Sequence, residues 1–417
     1  VNPWWTIGWR NLLRNRRRTA ITAGALACGY FAVVIMDVLS LGMIADMIDN
    51  GTGLLLGQVQ VHADDYLPDR SMYATLGGDD GVDVADLLAR VESDPAVDAA
   101  APRVYGGGLV SAGEHTGAAV LLGVDPAREV LVTRLLRGLA RGRPPADTAR
   151  EIVLGADLAR RLAVGPGMEV VVVAPAADGS LGNDLFRVSG VFDTGIPDLD
   201  AGYAVLAVGP LQELLALAPN RIHEIAARER DPWGAPATAR RVAERLAGVG
   251  PPLAVDPWTT YRPELVDYAR LTTASQWIVL AVVFGMAIFG VANTMVMATF
   301  ERRREFAVLL ALGAAPRGIV GSVMAEAVAL GALSLVLGLV VTVPVMIWFH
   351  LAPPDLGAFV GGFSMAGAFL RPVLRLEYPN AVLVGSAVAL FVTAVLAAGL
   401  PALRSSRLPP AETLGGR

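Results

Sequence analysis

Four stretches of the chain are apolar for long enough to cross a bilayer. They run from about Thr19 to Ile44, Ala274 to Phe300, Ile319 to Phe349 and Ala381 to Leu400, and each meets the roughly 20 residues a helix needs to traverse about 30 Å of hydrocarbon. Helices are required there because lipid satisfies no exposed backbone N–H or C=O. The third run exceeds an untilted span, and tilt or a bend near Pro344 would absorb the excess.

The long segment between the first two runs has a different rhythm. Alternation and dense apolar runs predict strands at Gly57–Ala63, Ala118–Gly123, Met168–Ala174, Asp184–Phe192 and Tyr203–Val208. Helical periodicity marks Val82–Val91, Gly155–Leu162 and Ala237–Ala247, the second leading into a turn at Gly165, Pro166 and Gly167. A segment of this length holds two subdomains: a β-rich insertion at about Arg103–Ala218, set into a mixed α/β unit whose halves are Gly57–Ala101 and Arg221–Trp258. The expected fold class is an α-helical membrane protein with four transmembrane helices and a large mixed α/β extracytoplasmic domain.

Composition agrees with a membrane class, since 54% of the 417 residues are hydrophobic and the mean hydropathy is +0.51. Charge then sets the orientation. Arg10, Arg14, Arg16, Arg17 and Arg18 precede the first run, Arg302, Arg303, Arg304 and Arg317 separate the second from the third, and Arg404, Arg407 and Arg417 follow the fourth. By the positive-inside rule these ends are cytoplasmic, with Arg371 and Arg375 as mild exceptions outside. Asp46–Arg270 carries 20 arginines against 32 acidic residues, a net charge of −12, but long domains translocate largely regardless of charge. All 34 basic residues are arginine, a bias on which no nucleic-acid partner is built. The sole cysteine, Cys28, lies in an apolar run and excludes an intrachain disulfide. The first run is too long for a secretory h-region and reads as an uncleaved signal anchor.

The resulting division is an amphipathic helix at 1–18, spans at 19–45, 271–300, 319–349 and 380–401, and an outside domain at 46–270 with its β-rich insertion at about 103–218. A cytoplasmic segment at 301–318, an outside loop at 350–379 and a cytoplasmic tail at 402–417 complete it. In the first segment Trp5, Trp9, Leu12 and Leu13 share one helical face and Arg10, Arg14 and Arg17 another, the pattern of an interfacial helix serving as a plain anchor or as a moving lever. In the cytoplasmic segment Phe306, Leu309, Leu310 and Gly313 recur with helical spacing, while Glu301 and Glu305 project one turn apart. That is a short helix with apolar contact surface and an acidic edge, ended at Gly313 and Pro316. On composition alone such a charged run is simply a topology signal, and both readings stand. Asp37 and Glu326 fall inside spans, where carboxylates are costly and line protein interfaces or aqueous paths, or snorkel from span ends. Asn293 can hydrogen-bond across a bundle, and Gly285, Ala287 and Gly290 permit close helix approach.

Four local stretches carry a family resemblance. They are WRNLLRNRRRTAIT from Trp9 to Thr22 followed by GLLLGQVQVHADDY from Gly53 to Tyr66, then NTMVMATFERRREFAVLLALGA from Asn293 to Ala314, and PALRSSRLPPAETLG from Pro401 to Gly415. Over nearly its whole length the chain resembles the four-span permease subunits of the MacB, LolC/LolE and FtsX class of ABC transporters, and the Gly53–Tyr66 stretch is most similar to the lipoprotein-releasing LolC/LolE branch. The resemblance implies a porter-like α/β part with an inserted β-rich part, long first and second helices forming a stalk, and mechanical coupling rather than a channel. It makes 301–318 the coupling helix docking into an ATPase groove, with Glu301, Arg302, Arg304, Glu305, Phe306, Leu309, Leu310 and Gly313 as its contact residues.

The same resemblance implies the partners: two separate ABC ATPase subunits, a second identical or related four-span permease, lipoprotein cargo, a periplasmic carrier, and membrane lipid. No cofactor is bound directly, ATP and Mg being expected on the ATPases; a Walker A loop needs a lysine, and this sequence has none. Val59, His62 and Tyr66, with Phe359, Phe363, Met365 and Phe369 in the outside loop, are the candidate substrate or outer-interface residues. A non-catalytic subunit is expected, because His62, His115, His223 and His350 are scattered without metal-ligand spacing and no G-x-S-x-G motif occurs. Two alternatives remain open: an efflux permease resembling MacB, and a regulator of a cell-wall hydrolase resembling FtsX. The cargo and the pairing of the permeases are not specified by sequence.

Overall fold

The apolar runs fold as helices longer than the runs themselves. In the computed structural model, which describes residues 10, 14–67, 71–78, 82–354, 363–365, 368–370 and 380–407, they form α1 (Arg16–Gly53), α2 (Pro263–Glu301), α4 (Pro316–Leu351) and α5 (Asn380–Ser406), with the short α3 (Arg303–Ala311) between α2 and α4. All but α3 are long and apolar enough to cross a membrane. With 38 and 39 residues, α1 and α2 are about 57 Å long at 1.5 Å per residue, so each extends well past about 30 Å of hydrocarbon. Trp5, Trp9, Leu12 and Leu13 of the expected interfacial helix lie outside the described residues, as does the tail beyond Arg407.

The chain divides into two compact units: Val1–Ile44 with Ala269–Leu356 and Val373–Arg417, and Ala45–Tyr268 with Gly357–Pro372. The first, the membrane unit, is built around Leu26, Tyr30 and Val34 of α1, Met295 of α2, Leu330 of α4 and Leu390 of α5. A side chain at Gly338 would sit 2.8 Å from the Tyr30 ring, so a glycine is what lets α4 pass that ring. The helices share this core unequally. Within its apolar window α2 is only 11% buried, against 39% for α1 and 33% for α4.

The second, the outside unit, is organised by one ten-stranded sheet. Its strands are β1 (Val59–Ala63), β2 (Val97–Ala112), β3 (His115–Val124), β4 (Leu139–Gly142), β5 (Glu151–Gly155), β6 (Glu169–Pro175), β7 (Leu181–Phe192), β8 (Tyr203–Ala207), β9 (Glu224–Glu229) and β10 (Leu253–Pro257). The order β10-β1-β9-β2 forms an antiparallel part. Helix Val84–Glu92, capped by Asp83 on Ala85 N–H, packs on β2, and helix Ala235–Leu246 packs on β10. From β2 the pairing continues through β3, β8, β5 and β7 to β6, which pairs back to β2. That circuit closes a barrel-like core filled by Leu121, Val153, Phe186 and Val205.

Strand β2 belongs to both parts. Its first half pairs with β9 and its second with β3 and β6, so one 16-residue strand carries the chain from the open sheet into the barrel. Glycines make the passage possible: a Cβ at Gly108 would lie 2.8 Å from the Val173 carbonyl oxygen, and one at Gly106 would lie 3.0 Å from Leu215. A two-stranded hairpin, β11 (Phe363–Met365) with β12 (Ala368–Leu370), pairs Phe363 with Leu370 and Ser364 with Phe369.

Candidate functional site

The short helix α3 sits between two turns. It begins after Arg302, and Gly313, at φ +88°, ends the segment before Pro316 opens α4. Phe306 is 1% exposed and packs with Ile319 and Val323 of α4 and Ala402 of α5, with Leu310 partly buried against them. The helix is thus held to the membrane unit by one apolar face. Val308, Leu309 and Leu312 point outward instead, at 43, 43 and 80% exposure.

The apolar repeat expected as one contact face is therefore divided, Phe306 and Leu310 serving the unit's own core. This corrects the reading of Phe306 as a direct partner contact, since a side chain 1% exposed has no surface left to offer, while Leu310 is half-buried. Val308 and Leu312, which the spacing argument passed over, join Leu309 on the open side.

Around α3 the charged residues form a network. Arg302 donates from Nε to Glu305 Oε2 at 3.1 Å and from Nη1 to Glu326 Oε2 at 3.2 Å, with its guanidinium 4.9 Å from the Phe306 ring centre. Arg14 donates to Glu305 at 3.1 Å, while Arg18 and Asn15 donate to Glu301 at 2.9 and 3.2 Å. Partial burial pushes the Glu305 carboxyl up, but the hydrogen bonds from Arg302 and Arg14 outweigh it and hold the group below its ordinary value. Both acidic residues expected at the helix edge thus face arginines at the start of α1 or just before it, Arg18 and Arg14. Arg304 is exposed.

The expected outer-interface residues behave differently. Val59, His62 and Tyr66 are 0, 1 and 1% exposed, which corrects their reading as surface contacts; they lie inside the outside unit. His62 sits between the Ala63 carbonyl (Nδ1, 2.9 Å) and the Asp256 carboxylate (Nε2, 3.1 Å), bracing β1 against β10. The Tyr66 ring lies 5.4 Å from His62 and 6.1 Å from His223. Burial holds the His223 imidazole below its ordinary pKa. Its Nδ1 accepts from Tyr105 N–H, so Nε2 carries the proton given to the Met72 carbonyl. Phe359 lies outside the described residues, and Phe363, Met365 and Phe369 fall in the β11–β12 hairpin.

Sequence reasoning missed a buried cluster in the outside unit. Arg103, fully buried, donates to Glu129 at 2.7 and 3.1 Å and to Glu224 at 3.0 Å. Thr133 and Tyr105 hydroxyls donate to the same carboxylates. Arg134 grips the last turn of α1 through the Asp49 carboxylate and carbonyl and Asn50, and Tyr261 donates to the Gly57 carbonyl at 2.7 Å. Nothing in the spacing of these residues marks them, because their partners come from distant parts of the chain. Among the described residues no group of three or more His, Cys, Asp or Glu is placed to hold a metal.

Residues 19–245 match the family model described as MacB-like periplasmic core domain, and 277–410 match FtsX-like permease C-terminal. The chain is 25% identical over 348 residues to the lipoprotein-releasing system transmembrane protein LolC of Xylella fastidiosa strain 9a5c, covering 78% of this chain and 80% of that one. It is 26% identical over 267 residues to LolC of Neisseria meningitidis serogroup B, covering 61% and 63%. Among solved structures, the periplasmic region of MacB from Actinobacillus actinomycetemcomitans aligns with TM-score 0.38 at 13% identity, covering 52% of this chain and 97% of that one. The extracellular domain of the ABC-type transporter YknZ from Gram-positive bacteria aligns with TM-score 0.34 at 13% identity, covering 48% and 98%.

Proposed function

Because the chain belongs to the MacB/FtsX family of ABC-transporter permeases, we propose that it passes ATP-driven movement from separate ATPase subunits to its outside unit, and that this movement extracts acylated lipoproteins from the outer face of the cytoplasmic membrane for transfer to a carrier. The observation that carries the mechanical half is the division of α3: Phe306 and Leu310 fasten it to α4 and α5, while Val308, Leu309 and Leu312 stay open. A load placed on the open face moves helices rather than a slack loop. In the outside unit Arg134 and Tyr261 tie the end of α1 and the segment after it to the residues around them, which suits a domain that is pulled as a body.

ATP and Mg belong to the two ATPases in this reading, and a second four-span permease, identical or related, completes the assembly. The arginines beside α1, α3 and α5 support cytoplasmic termini. The lipoprotein cargo is supported by the likeness to the LolC relatives and by the Gly53–Tyr66 stretch.

Purification from native membranes in mild detergent, followed by addition of ATP and a soluble envelope fraction, tests both halves. An ATPase subunit should be retained, and acylated lipoprotein should leave the complex only with ATP. Absence of any ATPase would reject the transporter assembly. An ATPase whose turnover releases small amphiphiles, or activates a cell-wall hydrolase, would reject the lipoprotein cargo alone.

A further inference from the structure

One face of the 302–311 segment meets one face of α4. Arg302, Phe306 and Leu310 recur every four residues, and on α4 Ile319, Val323 and Glu326 stand at i, i+4 and i+7. Phe306 packs with Ile319 and Val323. One turn back along the chain, Arg302 donates at 3.2 Å to Glu326, which lies further along α4. The contact therefore runs antiparallel and has two kinds of rung. The apolar rung is closed by a buried Phe306 and a half-buried Leu310. The charged rung is 12% and 7% exposed, and its guanidinium also reaches Glu305 and the Phe306 ring.

The two rungs constrain α3 differently. Apolar burial is non-directional, and α4 offers further apolar side chains beside the first contact, Val320 and Met324, so the Phe306 face alone admits a slip along α4. On α4, Arg302 has no such choice. Glu326 is the single acidic residue in the 36 positions of that helix, and a slip of one turn would leave two largely buried charges parted, a costly state. We propose that the Arg302–Glu326 pair sets the register of α3 on α4, so that a displacement imposed on the open face of α3 passes into α4 instead of being lost as slip. The Arg302 backbone leaves the helical range between α2 and α3, at φ −105° and ψ 9°, so the pair also holds the joint at which α3 would otherwise turn. Arg302 and Glu326 are thus positioning residues for the coupling proposed above, on which the inference rests.

Arg302→Met with Glu326→Leu is the deciding variant. Exchanging a buried ion pair for apolar residues of similar size is often neutral for folding, yet it erases the one feature that selects a register. The complex purified from native membranes should still hold its ATPase, since neither side chain offers much surface to a partner. Lipoprotein released per ATP hydrolysed should fall at least about fivefold, the lower end of typical coupling between sites. Register is read separately in a Cys28→Ser background. Oxidation should join Leu310→Cys to Ile319→Cys in the otherwise unaltered chain. It should join Leu310→Cys to Val323→Cys, one turn further along α4, only when Arg302→Met and Glu326→Leu are also present.

Unchanged release per ATP in the double variant would overturn the proposal, as would a 310–319 crosslink that stays exclusive in it, because the pair would then only neutralise charge. Glu326→Gln keeps the side-chain shape and an acceptor for Arg302 without the charge. If the double variant does not assemble, the same two readings on Glu326→Gln decide, in the same directions. An unaltered complex that holds no ATPase would reject the coupling reading itself, and the inference with it. Normal coupling in both the unaltered and the double-variant complexes would reject the register role alone.

Discussion

Two arginine–carboxylate clusters, one in each unit of this protein, differ in how much water reaches them. In the outside unit, Arg103, Glu129 and Glu224 are at most 2% exposed. Around α3, the Arg14–Glu305 pair is 57% and 50% exposed and the Arg18–Glu301 pair 25% and 42%. The same chemical groups therefore do different jobs. A buried charge that loses its partner has nowhere to turn, so the first cluster fixes one arrangement of β2, β9 and the helix Pro126–Val132. An exposed pair is replaced by water at little cost, so the Arg14–Glu305 and Arg18–Glu301 pairs can open and close while the chain stays folded, whereas the Arg302–Glu326 pair of the same network, 12% and 7% exposed, is largely buried. The coupling of ATP turnover to movement proposed above would need such a difference between the part that is driven and the part that is moved.

The largest effect should come from breaking the buried cluster. Arg103→Met leaves Glu129 and Glu224 buried without their guanidinium and should cost about 3 to 5 kcal/mol, read as earlier urea unfolding and faster proteolysis of the outside unit. The α3 region should keep its ATPase in the same preparation. A loss below about 1 kcal/mol would mean that water enters the cluster, and the contrast between the two ends would fail.

Next in size is the open face of α3. Replacing Val308, Leu309 and Leu312 by serine should leave folding intact, because these side chains are exposed, but should weaken ATPase retention by about 10- to 100-fold, corresponding to the loss of one full apolar burial, about 1.5 to 3 kcal/mol. Phe306→Ser should do the reverse, loosening α3 from α4 and α5 before any partner arrives. Equal retention by the triple variant and the unaltered protein would remove α3 from the coupling interface.

The extent to which all this was legible in the sequence follows from the range over which each feature is encoded. The four spans were readable because a span is a local run of apolar residues. Strand β2 was not: VDAAAPRVYGGGLVSA is rich in alanine and glycine, residues depleted from strands, and it is extended because β9, β3 and β6 pair with it. Strand β9, EIAARE, was missed because its buried Glu224 makes sense only beside Arg103, 121 positions away. For α3 the spacing was visible but its direction was not, since apolar residues occupy both sides of a nine-residue helix. Val59, His62 and Tyr66 stand as outer-interface candidates through the resemblance of Gly53–Tyr66 to the lipoprotein-releasing branch, and such a pattern says nothing of burial, which for His62 depends on Asp256 across the sheet.

Between the extremes lies Asp94, itself buried but paired with Arg241 and Arg245, which are 42% and 35% exposed. The Arg241 hydrogen bond is the main cause that holds its pKa down, from 3.8 to about 2. A carboxyl held below its unfolded value stabilises the fold fully above that value and loses the contribution as pH falls through the folded one. The Asp94 contribution should therefore be complete above pH 3.8 and fade toward pH 2, by at most about 2 kcal/mol and less where solvent screens the arginines. The stability gap between the unaltered protein and Asp94→Asn, followed by urea unfolding, should narrow over that window. A gap independent of pH would show that Asp94 acts by shape rather than charge.

The smallest thermodynamic effect belongs to Glu305, and it is the most direct test of an openable cluster. Glu305→Gln removes the charge that Arg14 and Arg302 share, and at 50% exposure the loss in folding stability should stay within about 0.2 to 1 kcal/mol. A free energy of that size is nevertheless enough to shift an open–closed equilibrium up to about fivefold. If the cluster restrains α3 until cargo is engaged, ATP hydrolysis without cargo should rise by up to that factor in Glu305→Gln, and high salt should raise it in the unaltered protein by screening the same charges. Adding Arg14→Ala to Glu305→Gln should change little further, because Glu305→Gln already removes the charge that Arg14 pairs with. Cargo-free ATP turnover that ignores salt and both substitutions would show that the network around α3 is merely solvated charge at a membrane border, and the distinction between a lock outside and a latch inside would have to be abandoned.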